Sequence, residues 1–442
     1  MKPLPHRRLG LLTPPISGHL NPALSVAREL RDRGYHMTYF GLPDARTRVL
    51  AAGIEFHPLC QSTHPEGTVP AWMKRQGELT GLAAMRWILR CLQSENLGVM
   101  RDLPDALHAT GTDALLTDQL SYGAASVAQH QGLPYVTLCN ALPVHRDDSV
   151  PPFATSWAPV ARPLEALRSF LGFLPLRPLF HLHLAPINSL RRSWGLKALR
   201  PESLADSPRA ILSQQPPTFE FARRRLPARF HLTGPWQRPD TRPEEPFPFE
   251  RLDGRPLIYA SLGTLQNRIE SIFRIIAEAC APLDAQLVIA LGARDAVPPP
   301  KLPGDPVVVP FAPQMKLLRI ASLVITHAGL NTALEALAHG VPSVAIPITN
   351  DQPGVAARLR ACGAGEFIPV ARLNPSRLRR VVEQVLHTPS YRQAALRFAE
   401  SITREDGIRK AADLIEASLE PQVSSGCGEG QPAPVSACRI AA

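Results

Sequence analysis

Between Val324 and Gln352 the chain reads VITHAGLNTALEALAHGVPSVAIPITNDQ, a run dense in groups that can hold an anion and a sugar. The pattern predicts a strand ending at Thr326, a turn through His327 and Gly329, and a helix over Leu330–His339. A second strand follows at Ser343–Ile346, then a polar turn at Asp351–Gln352. Asn331 and Thr332 fall on the first helical turn, where backbone N–H groups lack intrahelical partners. Such a terminus attracts an anion through those groups and the positive end of the helix dipole. Gly329 lets a phosphate approach the backbone without meeting a Cβ. His327, Asn331 and Thr332 add donors around the same point. Glu335, one turn beyond Asn331, is placed to accept hydrogen bonds from vicinal sugar hydroxyls. The expected ligand is a nucleotide diphosphate held without a metal. An ordinary helix cap is the plainer reading of Gly-Leu-Asn-Thr taken alone.

Two other turns carry reactive or phosphate-seeking groups. The loop after the first predicted strand, Thr13 to Pro22, contains His19 just before a helix starting near Asn21-Pro22. Asp118 ends another predicted strand, Asp113–Thr117, at the same sheet edge. Loops at the carboxyl ends of parallel strands face the ligand crevice. A lone His there is more often structural, and Asp118 has the alternative of capping a helix. If functional, the pair suits general base catalysis, with the carboxylate orienting an imidazole that takes a proton from a hydroxyl. Ser261-Leu262-Gly263-Thr264 forms a further strand-to-loop turn. The chain contains no Asp-x-Asp, the pattern that holds a divalent ion in many sugar transferases.

Taken together, Phe311-Ala312-Pro313-Gln314, then His327-x-Gly329-x-Asn331-Thr332-x-x-Glu335, then Asp351-Gln352 resemble the donor signature of the family 1 glycosyltransferases. Phe311 and Leu330 stand where plant members carry Trp, which keeps a smaller stacking ring and removes a sugar contact. The resemblance implies the GT-B fold, two doubly wound Rossmann-like α/β domains facing across a cleft. It implies His19 as base and Asp118 as its partner. Gly263 and Thr264 are implied as phosphate contacts, and Phe311 and Gln314 as contacts to the nucleotide. Glu335 implies a ribose donor, and Asp351 with Gln352 a glucose, so UDP-glucose is the expected co-substrate. No cofactor or metal is expected, and direct displacement would invert the anomeric centre. Within the family, Ala260–Gln266, Asp351–Arg358, Asp118-Gln119 and Cys139–Pro143 resemble members that glucosylate carotenoid diols such as zeaxanthin. The implied acceptor is hydrophobic and hydroxylated. Another lipid, sterol or polyketide acceptor is the alternative, as is an epimerase of the same fold.

These residues need two sheets to position them. The order strand, helix, strand recurs through Leu9–Thr13, Asn21–Arg33, His36–Phe40, Asp113–Thr117, Gly123–His130 and Tyr135–Cys139, which predicts a covered parallel sheet. Apolar helical insertions at Pro58–Pro104 and Leu142–Leu199 are assigned to the acceptor side. The rhythm restarts at Leu257 after a Pro-rich, charged stretch. The domain expectation is therefore 1–235 for the acceptor, 236–254 as a linker and 255–419 for the donor. The last helical pattern is expected to cross back to the first domain, and 420–442 to be a disordered tail.

At 442 residues with 45% hydrophobic composition, the chain suits a soluble protein of two or three domains. Its net charge is +10, and six Lys among 48 basic residues make it Arg-rich. No nucleic-acid module accompanies that charge, so nucleic acid is not an expected partner. The 7 cysteines show no CxxC spacing, which fits a reducing cytoplasm rather than disulfides or zinc. Pro14-Pro15 breaks the first apolar run too early for a signal peptide. Val160–Leu196 combines apolar residues with Arg162, Arg168, Arg177, Arg191 and Arg192 against Glu165, a composition suited either to peripheral contact with an anionic membrane or, through Phe170, Phe173 and Phe180, to lining the acceptor pocket or core.

Overall fold

The computed structural model describes residues 8–144, 147–160, 164–200, 206–224, 226–242, 244–265, 267–296 and 301–420. Arg162, Gln266, Cys427, Cys438 and the expected tail beyond residue 420 lie outside the described residues.

The first half is built on β1 (Arg8–Leu12), β2 (His36–Gly41), β3 (Glu55–Pro58), β4 (Ala114–Asp118), β5 (Tyr135–Cys139), β6 (Ala210–Ser213) and β7 (Phe230–Leu232). They lie in the order β3-β2-β1-β4-β5-β6-β7, and every pairing is parallel. β4 and β5 are buried at all positions, as a parallel strand covered on both faces must be. The connections carry α1 (Ser17–Asp32), α2 (Arg46–Ala51), α3 (Thr68–Gly77), α4 (Gly81–Thr110), α5 (Tyr122–Gln131), α6 (Leu164–Phe173) and α7 (Arg177–Ser193).

The second half repeats the design. β8 (Leu257–Ser261), β9 (Gln286–Ala290), β10 (Val307–Val309), β11 (Ala321–Thr326), β12 (Ser343–Ala345) and β13 (Gly365–Phe367) form a parallel sheet ordered β10-β9-β8-β11-β12-β13. Its helices are α8 (Glu270–Cys280), α9 (Gln314–Leu318), α10 (Leu330–Ala338), α11 (Gln352–Ala361) and α12 (Pro375–His387). Strand order reverses between β1 and β4 and between β8 and β11. A parallel sheet opens its ligand crevice at such a switch point, beyond the carboxyl ends of the strands.

α13 (Pro389–Glu405) packs Ala394, Ala395 and Phe398 onto Leu334 and Leu337 of the second half. α14 (Gly407–Leu419) then buries Ala411, Ala412, Ile415 and Leu419 in the core of the first half, beside Leu24 and Leu212. Gly407 has to be glycine, since a Cβ there would lie 2.5 Å from the backbone of Gly234.

Two sequence expectations shift. α1 starts at Ser17, not near Asn21, so His19 sits within the first helical turn and Pro22 lies inside the helix. The Pro-rich stretch is not a free tether. Trp236 is buried in the first core and donates Nε1–H to Thr233 Oγ1 at 2.8 Å, while Phe247 and Leu252 pack on the second. Composition showed the missing period but not these aromatic anchors.

Candidate active site

His19 and Asp118 meet across two strand ends. His19 Nδ1 donates to Asp118 Oδ2 at 2.8 Å, and both side chains are buried. Asp118 is held in turn by Asn140 Nδ2 at 2.6 Å and by the backbone N–H of Leu120 at 2.7 Å. With Nδ1 committed to a carboxylate, the neutral ring carries its lone pair on Nε2. Burial works to lower the His19 pKa. The charge and hydrogen bond of Asp118, joined by the charge of Asp351, outweigh it, and the net shift is upward. Sequence reasoning gave Asn140 no role, although it lies in the quoted Cys139–Pro143 segment.

The facing wall comes from the second half. α10 begins after Gly329 with no side-chain cap and no acidic residue in its first turn, so its terminal N–H groups stay available to an anion. Thr332 is buried on that turn. Ala328, immediately before, adopts φ +64, a left-handed conformation costly for a residue with a Cβ, and Asn350 before Asp351 does the same at φ +56. Nothing in the spacing marks Ala328. The glycines have a role beyond admitting a phosphate. A Cβ on Gly263 would lie 2.5 Å from His327 Cε1, and one on Gly329 would lie 2.6 Å from His327 Nε2. The imidazole is thus clasped between two glycines. Burial pulls its pKa to about 4, so His327 is neutral. Gly263 takes φ +69 and leads to the half-exposed Thr264.

Five expected contacts, Gln314 among them, are occupied within the protein. Asn331 was expected to add a donor at the helix start. Its Nδ2 instead donates to the Gly18 carbonyl at 2.9 Å, and its Oδ1 accepts from Gln214 Nε2 at 2.7 Å. Only its backbone N–H remains on the anion-facing turn. Glu335 is buried and paired with Arg242, a residue of the supposed linker, and it accepts from Gln314 Nε2 at 2.5 Å. A buried carboxylate needs such partners, and sequence gave no sign that Arg242 would supply one. Gln352 Oε1 accepts from the backbone N–H groups of Ile348 and Thr349 at 2.8 and 3.0 Å, bracing its own loop. Phe311 carries the Arg294 guanidinium 5.1 Å from its ring centroid, on the face expected to stack on a base.

Asp351 closes the site. It sits at the N-cap position of α11 without making a side-chain capping bond, accepts from Leu142 N at 3.1 Å and contributes to the field at His19. Enclosure pushes its own carboxyl up. Behind it, buried Arg358 pairs with Glu220 and stacks on Phe221 at 4.5 Å, tying α11 to the first half. Among the described residues no cluster of three or more His, Cys, Asp or Glu has metal-binding geometry.

A family model described as UDP-glucoronosyl and UDP-glucosyl transferase matches residues 226–409. The zeaxanthin glucosyltransferase of Pseudescherichia vulneris is 31% identical over 425 residues, covering 92% of this chain and 97% of that protein. The zeaxanthin glucosyltransferase of Pantoea ananas is 29% identical, covering 92% and 94%. The crystal structure of the glycotransferase of kitacinnamycin superposes with a TM-score of 0.72 at 24% identity, covering 94% of this chain and 100% of that one. This chain belongs to the family 1 UDP-glycosyltransferases and is a glycosyltransferase of the GT-B fold.

Proposed function

We propose that this enzyme transfers glucose from UDP-glucose to a hydroxyl of a hydrophobic acceptor, a carotenoid diol such as zeaxanthin. The observation that carries the proposal is the buried His19–Asp118 pair set opposite the uncapped start of α10. His19 Nε2 takes the acceptor proton as its oxygen bonds to C1 of the sugar. The bond from C1 to the diphosphate oxygen breaks, and UDP leaves with the electron pair. Positive His19 is held by Asp118 until it is deprotonated. Attack opposite the leaving group makes a β-glucoside from an α-linked donor.

The departing diphosphate meets the first-turn N–H groups of α10, with Thr264 and Thr332 beside it. Preorganised donors of this kind stabilise developing negative charge without reorganising. In this reading the transfer is metal-independent. The acceptor assignment is supported by the names of the two relatives at 29% and 31% identity. Proton NMR of the product tests stereochemistry and donor together. A β-linked glucose formed from UDP-glucose, at a rate unchanged by EDTA, is expected. An α-linked product, or a strict preference for another nucleotide sugar, would overturn the proposal.

A further inference from the structure

Helix α6 is inside out. Its buried positions are Glu165 and Ser169, at 1% and 0% exposure, whereas Leu164, Leu167 and Leu171 are 63%, 57% and 52% exposed. Leu174 continues the same spacing just past the helix and is also exposed. A surface helix ordinarily turns its apolar stripe inward and its polar face to water. Here the inward face is fixed by Glu165, whose carboxylate accepts the Val160 backbone N–H at 2.7 Å. The leucines are left on the outside.

The stripe is flanked by cations. Arg168 lies 4.5 Å over the Trp157 ring, and Arg177 lies 5.3 Å from the Phe170 ring centroid. Between Leu164 and Arg200 the only acidic residue is Glu165, which is buried. An outward apolar stripe rimmed by guanidinium groups matches an anionic bilayer surface, with leucines at the acyl boundary and arginines among the headgroups. A second copy fits less well. A two-fold contact sets the same patch against itself, bringing cation to cation.

The opposite, inward face of the same helix leads toward the cleft. Phe173, at the end of α6, has its ring centroid 6.4 Å from that of Phe153. Phe153 packs against the cluster containing Leu142 and Val355, and the Leu142 N–H donates to Asp351. We propose that the α6 leucine stripe docks this enzyme on an anionic bilayer, beside the cleft that receives a lipid-dissolved acceptor. The docking face rests on its own geometry, while its purpose rests on the acceptor reading above.

The experiment is cosedimentation of the full chain with vesicles of phosphatidylglycerol and phosphatidylcholine, against phosphatidylcholine alone. Sedimentation velocity, UDP calorimetry and transfer to a detergent-solubilised acceptor run in parallel. The wild type is expected to bind anionic vesicles and to release as salt rises. Leu167→Glu with Leu171→Glu should lower partitioning by about a hundredfold, with UDP binding unchanged. Arg168→Gln with Arg177→Gln should weaken binding by about tenfold or more. Docking is overturned if the wild type ignores anionic vesicles at low salt, if the double glutamate variant binds as well, or if the stripe only dimerises the protein. Transfer in detergent without vesicle binding removes docking and keeps the proposed function. Vesicle binding without transfer to any carotenoid does the reverse.

Discussion

Asn331 of α10 donates its Nδ2–H to the carbonyl of Gly18 in α1 at 2.9 Å, across the boundary between the two halves. In an unbroken helix that carbonyl would accept the N–H of residue 22. That residue is Pro22, which has none. A proline inside α1 therefore frees the acceptor that Asn331 of α10 uses, one position before Asp118's partner His19 on the same helix. The contact holds the two walls in register more directly than it holds a ligand.

Asn331→Ala should therefore reduce kcat more than UDP affinity. Losing the bonds to Gly18 and from Gln214 removes about 1–3 kcal/mol of interdomain contact. Steady-state kinetics with UDP calorimetry separates the effects. A large loss of UDP affinity with kcat preserved would return Asn331 to the role of donor contact.

The pH profile reports on His19. Its pKa is raised in the folded enzyme, and only the neutral ring accepts a proton. The acidic limb of kcat/KM should lie above the ordinary histidine value, with activity lost as pH falls through it. Asp118→Asn removes the largest raising cause, so the limb should move to lower pH while the plateau drops by about 10²-fold or more. A limb that stays in place would contradict the pairing as the source of the shift.

Glu335 makes a second test. If Glu335 holds the donor ribose as proposed, the sugar has to displace Arg242 or Gln314 from it. Glu335→Ala should weaken UDP-glucose binding by about 1–3 kcal/mol. Arg242→Ala should lower the melting temperature, since it leaves a buried carboxylate with one donor fewer, but keep UDP affinity within a few-fold. An unchanged dissociation constant in Glu335→Ala would remove this residue from the donor site.

Glu95, on α4, predicts a pH-dependent stability. Burial, then the charge of Asp118, raises its pKa from 4.5 to about 8. The folded state keeps a proton that the unfolded chain releases. This contribution is intact below 4.5, declines as pH rises toward 8 and is level above. Glu95→Gln should remove the decline, with an upper bound of about 5 kcal/mol gained over wild type at high pH. Urea unfolding at about pH 5 and about pH 8 measures it. An equal difference between the proteins at both values would contradict the buried, protonated carboxyl.

The sequence disclosed the parts that depend on local pattern. Apolar runs such as Leu9–Leu12 and Ala114–Thr117 announce covered strands, and the turn through His327 and Gly329 into a helix carrying Thr332 is legible from spacing. What it hid depends on distant pairing. Arg242 reads as one more charge in a Pro-rich stretch until folding brings it to Glu335. Ala328 carries no mark of its left-handed backbone. Asn331 looks like a ligand contact because its spacing is right, yet its partner, freed by Pro22, lies over three hundred positions earlier. For α6 the sequence showed the basic, apolar composition of a surface-seeking segment, but periodicity gives a stripe and not the side that faces the core.

In the proposed reaction His19 takes the proton of an acceptor hydroxyl as glucose is transferred to it. Liquid chromatography with mass spectrometry of UDP-glucose and zeaxanthin, with wild type and His19→Ala in parallel, tests it most directly. Zeaxanthin carrying added hexose is expected with the wild type, and none with the variant even though that variant binds UDP within a few-fold. Product at wild-type rates from His19→Ala, or UDP-glucose converted with no mass added to any hydroxylated acceptor, would contradict it.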